Sequence, residues 1–249
     1  MSSFVKRVAD LEKRFEQRAA LHEETYIPNF FPCKPVDYIL VGSEPSLRWG
    51  NTDEKKQRFL KGGMKGFCFS YEDFLVHYAI RNFLTRNYYL TDFAKGAKTV
   101  ADAVKGREKS FNAWLDLLKE EIALVGPSAR IISIGNAVRA YFERHGSLLR
   151  SIPAVIHYSP QARGKRSVFP KKYPEEYAIF SKNINHDMIV DTARTVLQEY
   201  GVNNSIASNI IEKIERGALT DTKKKLLFTY KCQFSAIKAG KPDWNIFKE

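Results

Sequence analysis

Cysteine is scarce in this chain. Cys33, Cys68 and Cys232 are odd in number and too far apart for a Cys-x-x-Cys knuckle. That excludes a closed disulfide set, and reduced, mostly buried thiols are expected. The five histidines, His22, His77, His145, His157 and His186, show no His-x-x-x-His spacing that would set two ligands on one helical face. Neither a metal nor a cofactor is expected. Long apolar runs are missing too: no segment approaches the roughly 18 residues of a membrane span. Met1 to Phe15 interleaves apolar residues with Lys6, Arg7, Asp10, Glu12, Lys13 and Arg14, so it has no signal-peptide core. These absences predict a cytoplasmic protein with no membrane partner. Neither a Gly-x-x-x-x-Gly-Lys-[Ser/Thr] loop nor a Gly-x-Gly-x-x-Gly turn is present, which argues against a nucleotide-binding α/β protein. There is no internal repeat and no low-complexity tract.

What the chain does have is positive charge. Forty Lys and Arg against 28 Asp and Glu leave a formal charge of +12 over 249 residues. Such a field attracts DNA, RNA or an anionic membrane face, and charge alone does not choose among them. With 44% hydrophobic and 27% charged residues, one main domain plus an extension is expected.

Periodicity supplies the elements. In residues 3 to 24, Phe4, Val8, Leu11, Phe15 and Ala19 recur at three- and four-residue steps, which predicts a peripheral amphipathic helix. Val36 to Val41 is a short apolar run ending at Gly42, a buried strand that feeds a loop. Ser70-Tyr71-Glu72-Asp73 has capping-box form ahead of a helix bearing Phe74, Leu75 and Tyr78. A second strand, Tyr88 to Leu90, ends at Thr91-Asp92, and a helix follows from Ser110. Ala129 to Ile134 is a third strand closed by Gly135, Ala137 to His145 a helix, and Pro153 to Ile156 a fourth strand ending at His157. Beyond about residue 172 the pattern is helical: 186 to 200, 205 to 216 and 221 to 239. Alternation of strands and helices predicts a three-layer α/β/α sandwich around a mostly parallel four-stranded sheet, with a helical C-terminal extension. The segments expected are an N-terminal helix over 1–30, the α/β domain over 31–172, and an extension over 173–249 packed on it. In such sheets ligands sit outside the carboxyl ends of the strands, here Gly42 to Ser46, Asp92, Gly135 and His157.

Two of those ends, and the loop before the capped helix, carry recognisable residues. Gly42-Ser43-Glu44-Pro45-Ser46, Gly66-Phe67-Cys68-Phe69-Ser70 and His157-Tyr158-Ser159-Pro160 occur in that order. Singly, such short strings also arise as tight strand-to-loop turns. Together, over about residues 36 to 168, the chain resembles the uracil-DNA glycosylase superfamily. The resemblance implies that Glu44 positions water and offsets positive charge on the sugar, that Phe69 stacks on the extruded base, and that His157 stabilises the departing base. It also assigns Ser43 to the base pocket. The iron-sulfur branches of that family need four cysteines, so the chain falls outside them.

Chemistry supports the same roles without the family. Breaking an N-glycosidic bond creates cationic character on the sugar and an anionic leaving base, so a carboxylate and a hydrogen-bond donor must flank one bond. Glu44 and His157 supply that pair and are expected to face one pocket. A duplex base must be flipped and stacked, which suits Phe69; its other reading is an ordinary core aromatic.

Base choice departs from the family. Uracil enzymes usually place Asn where this chain has Asp92, and a bulky Tyr where it has Ser46. An ionised Asp only accepts, which suits the exocyclic amine of cytosine. Ser46 leaves room at pyrimidine C5. A C5-substituted cytosine, hydroxymethylated or glucosylated, is therefore the expected substrate, with anti-phage defence as a conjectured role. The alternative for Asp92 is an ion pair with Lys95.

Gln161 stands where the family carries an apolar wedge, and Tyr158 replaces the family's first Pro in that loop. Ser159, Gln161, Arg163, Lys165 and Arg166 are expected to contact DNA, with Lys171 and Lys172 as further cations; the other reading of such a run is a solvated face. The expected partner is DNA, bound by a monomer. Competing readings are a uracil or damaged-base repair enzyme and an inactive DNA-binding module of the same fold.

Overall fold

A computed structural model describes residues 3–45, 65–98, 106–145, 152–242 and 245–246, with main chain only at 160 and 161. The fold is α/β, a four-stranded sheet of order β3-β2-β5-β6 flanked by helices, with a helical C-terminal part. The strands are β2 (Tyr38–Gly42), β3 (Tyr88–Asp92), β5 (Arg130–Ile134) and β6 (Ala154–Val155). Each sits within two residues of its expected place, because an apolar run bounded by polar or Gly residues can bury only as a strand at that length. A two-residue antiparallel pair, β1 (Thr25–Tyr26) with β4 (Gly96–Ala97), is too short for any periodicity to reveal.

The chain packs as two compact units. The first draws on Met1–Gly66, Asn87–Ser133 and Ala137–Ile152. In it β2 runs parallel to both β3 and β5, with Tyr38 beside Tyr88 and Arg130, and Gly42 beside Asp92. Helix α1 (Ser3–Leu21) packs on α3 (Arg107–Val125). Leu11, Phe15, Trp114 and Leu118 join Ile39, Val41, Phe93 and Tyr141 in one apolar cluster. Each of these large side chains contributes ~1.5–3 kcal/mol by leaving water. The N-terminal helix is thus a wall of the core rather than a peripheral appendage.

The second unit comprises Phe67–Arg86, Ile134–Asn136 and Pro153–Glu249. It holds α2 (Tyr71–Ala79), the start of α4 (Asn136–His145), and α5 (Val168–Lys172), α6 (Pro174–Asn183), α7 (His186–Glu199), α8 (Asn204–Glu215) and α9 (Asp221–Lys238). Helix α9 is the organiser, packing on α2, α5, α6, β6 and the 3-10 segment Pro160–Ser167. The C-terminal helices therefore group with α2 and β6 in one compact unit that draws on separate stretches of the sequence. The physical reason is that α9 buries Leu226, Leu227, Phe228, Tyr230, Phe234 and Ile237 against those earlier elements. Among the described residues no helix is long and apolar enough to cross a membrane.

Candidate functional site

In the first unit, β2 delivers Glu44 into the loop beyond Gly42. That loop is tied to the one after β3: Phe93 N–H donates to Gly42 O at 2.8 Å, and Ala94 N–H to Ser43 O at 3.0 Å. The Glu44 side chain is only 8% exposed, and its Oε1 accepts from Arg107 Nη2 at 3.0 Å. Its Oε2 is buried with no hydrogen-bond partner among the described residues. One oxygen held and one unpartnered is the arrangement of a carboxylate able to orient a water or face a developing cation. Sequence reasoning missed Arg107. The signal was there: an Arg in the first turn of a helix opposes the dipole and asks for an anionic partner. Ser43 is half-buried, and Ser46 lies outside the described residues.

Asp92 ends β3 and is 8% exposed. The Lys95 ammonium meets the Glu121 carboxylate at 2.7 Å and also donates to Thr91 Oγ1 and to the main-chain carbonyl of Asp92. Its ionic partner is thus Glu121, and it reaches Asp92 through the backbone, which corrects the expected alternative of an Asp92–Lys95 ion pair. Tyr89 Oη and Thr91 Oγ1 donate to the same Glu121 oxygen, at 2.7 and 2.9 Å. Asn29 Nδ2 donates to Thr91 Oγ1 at 2.7 Å. Burial and the neighbouring Glu121 push the Tyr89 phenol well above its ordinary range. This buried polar network fixes the end of β3.

In the second unit, the Phe67 to Ser70 loop is clamped by α2. Ser70 caps the helix in a capping box with Asp73, as its sequence predicts. Asp73 Oδ2 accepts from the N–H groups of Phe69 and Ser70 at 3.0 and 2.9 Å. One turn later, His77 Nε2 lies 2.9 Å from Phe67 O. The carbonyl can only accept, so the proton is on Nε2. Burial lowers the His77 pKa to about 3, so the ring is neutral. Phe67 adopts φ of +60°, strained for a non-glycine residue. Phe69 is half-buried rather than a core residue.

His157 follows β6. Its Nδ1 lies 3.0 Å from Ser159 N. A backbone N–H can only donate, so Nδ1 is the acceptor and the neutral ring carries its proton on Nε2. The ring stacks on Tyr158 with centroids 4.6 Å apart. Gly135 approaches His157 closely enough that a Cβ there would lie 3.3 Å from His157 Cβ.

The basic segment divides. Arg163 is exposed, as are Lys171 and Lys172. Arg166 is 5% exposed, and its guanidinium donates to the carbonyls of Tyr158 and Ser159. It holds the His157 loop from inside, which corrects the expectation of a phosphate contact: a buried guanidinium bound to two carbonyls is not presented to DNA. Lys165 is half-buried and donates to Ile246 O at 2.7 Å. Ser159 is half-buried, and Gln161 lies in the 3-10 segment with its side chain outside the description.

Among the described residues, no group of three or more His, Cys, Asp or Glu side chains is placed to hold a metal ion. Compared with protein-family models and with curated proteins, the chain matches none.

Proposed function

We propose that the chain is a monofunctional DNA glycosylase that flips a modified pyrimidine out of DNA and hydrolyses its N-glycosidic bond. One observation carries the reading: the Ser159 N–H bond into His157 Nδ1, which sets the ring proton on Nε2. A pre-set neutral N–H donor suits a base that leaves as an anion, because it stabilises charge that develops only in the transition state. Glu44, with one oxygen fixed by Arg107, suits the opposite task of orienting water and offsetting charge on the sugar. In the step itself, water forms a bond to C1′ as the bond from C1′ to the ring nitrogen breaks. The base takes the bonding electrons, and the water proton passes to Glu44 and on to solvent.

Base choice follows from Asp92 and Ser46. An acceptor facing the exocyclic amine favours cytosine over uracil, and a small residue at 46 admits a hydroxymethyl or sugar group at C5. Binding energy from that added group would let unmodified cytosine be spared. Cytosines of this kind occur in some phage genomes, so antiviral defence is the biological role this reading favours. Glu44→Ala and His157→Ala test it: each should slow base release by orders of magnitude while DNA affinity stays within a few-fold. Wild-type turnover in both would contradict it.

A further inference from the structure

We propose that Gln233 is a positioning residue for His157, pairing with the outer side of β6 as a residue of a neighbouring strand would; the activity readout rests on the glycosylase reading above. β6 ends the strand order, so among the described residues one side of its backbone has no neighbouring strand. Ala154, Val155 and Ile156 are nonetheless fully buried, and buried N–H and C=O groups need partners other than water.

Side chains of α9 supply them. Gln233 Oε1 accepts from Ile156 N–H at 3.0 Å, and Gln233 Nε2 donates to Ala154 O at 3.4 Å. Tyr230 Oη donates to Ile156 O at 3.0 Å. The carboxamide thus presents one acceptor and one donor, the pairing a residue of a neighbouring strand would offer. Gln233 is itself 0% exposed, on a buried face that is mostly apolar and whose other polar groups, the Thr229 and Tyr230 hydroxyls, are also hydrogen-bonded. Burial of an amide is unfavourable unless both its ends are bonded, so these bonds are the reason for a Gln at this position.

The grip extends past His157. Thr229 Oγ1 donates to Arg166 O at 3.0 Å, and the Arg166 guanidinium binds the Tyr158 and Ser159 carbonyls. The main chain on both sides of His157 is therefore fixed, on one side by α9 directly and on the other through Arg166. The Ser159 N–H that sets the ring tautomer belongs to this same held segment.

Two variants of the full chain test the proposal, Gln233→Met, which keeps the volume and removes both bonds, and Tyr230→Phe, which removes one. Gln233→Met should slow single-turnover base release about a hundredfold, the scale of a ~1 Å misplacement, with DNA affinity within about threefold. Nitrogen-15 NMR should show His157 with its proton on Nε2 in the wild type and a tautomer mixture in the variant. Leu227→Ala, which loosens α9 without touching these bonds, should lower the melting temperature and leave the His157 spectrum unchanged. If Gln233→Met fails to fold, Tyr230→Phe carries the test with the same readouts and about a tenfold slowing. A wild-type rate and an unchanged His157 spectrum in the folded variant would overturn the proposal. If the wild type releases no base from any DNA, the glycosylase reading fails while the NMR signature still decides the positioning role.

Discussion

Gly135 and His157 meet so closely that a side chain on residue 135 would crowd the His157 ring. Gly135 has φ of +87°, and a Cβ there would lie 3.3 Å from His157 Cβ and 3.4 Å from its Cδ2. Left-handed backbone of this kind costs a non-glycine residue about 1–3 kcal/mol. Gly135→Ala should therefore lower stability by about that amount in denaturant unfolding. The ring, pushed by the added methyl, should release base about 10- to 100-fold more slowly. An unchanged midpoint with an unchanged rate would remove Gly135 from the site.

Arg163 and Arg166 lie three residues apart in a single basic run, yet they should behave oppositely. Arg163→Ala should flatten the salt dependence of DNA binding by about one counterion and leave the melting temperature alone. Arg166→Ala should do the reverse, because it strips a charged donor from the Tyr158 and Ser159 carbonyls. Its loss should be about 1.5–3 kcal/mol. Salt titrations and thermal melts on both variants check this, and a reduced salt slope in Arg166→Ala would return that residue to the DNA surface.

His77 should make the fold acid-sensitive. Its folded pKa is lowered from 6.5 to about 3 by burial, so the unfolded chain binds the proton first as pH falls. Its contribution is intact above about pH 6.5 and is lost as pH drops toward 3, at up to about 1.4 kcal/mol per unit. His77→Gln retains a donor for Phe67 O and cannot titrate. Its melting temperature should fall less between pH 7 and pH 5 than that of the wild type. Parallel curves for the two proteins would contradict the assignment.

Asp92→Asn should move base preference toward uracil, because an amide can donate to the oxygen that replaces the cytosine amine. Ser46→Tyr should exclude C5 substituents by size alone. Competition between two bases in one reaction measures both. A preference unmoved by either change would place base reading elsewhere.

The framework was legible because burial writes itself into short apolar runs and helical periodicity. The four sheet strands and the capping box at Ser70 follow from local pattern alone. The interactions that tune the site were not, because they join residues distant in sequence. Glu44 and Arg107 are 63 residues apart, and only the odd placement of a cation at a helix start hints at the pair. Arg166 looked like its neighbours in a basic run, since composition does not say which of several cations turns inward. Gln233 carries no sequence signal of its own within the helical pattern of residues 221 to 239. Its pairing with β6 depends on where α9 packs, which no local pattern encodes.

The most direct measurement offers the purified full chain a set of duplexes that differ at one base: cytosine, uracil, 5-hydroxymethylcytosine and glucosylated hydroxymethylcytosine. Abasic sites are then scored by alkaline cleavage, with His157→Ala as the control. The account predicts abasic sites at one or both substituted cytosines, little at uracil, none at cytosine, and loss of the signal in the control. Release of uracil alone would retain the glycosylase and refute the base-recognition argument. No abasic site at any base, or equal cleavage by His157→Ala, would contradict the central claim.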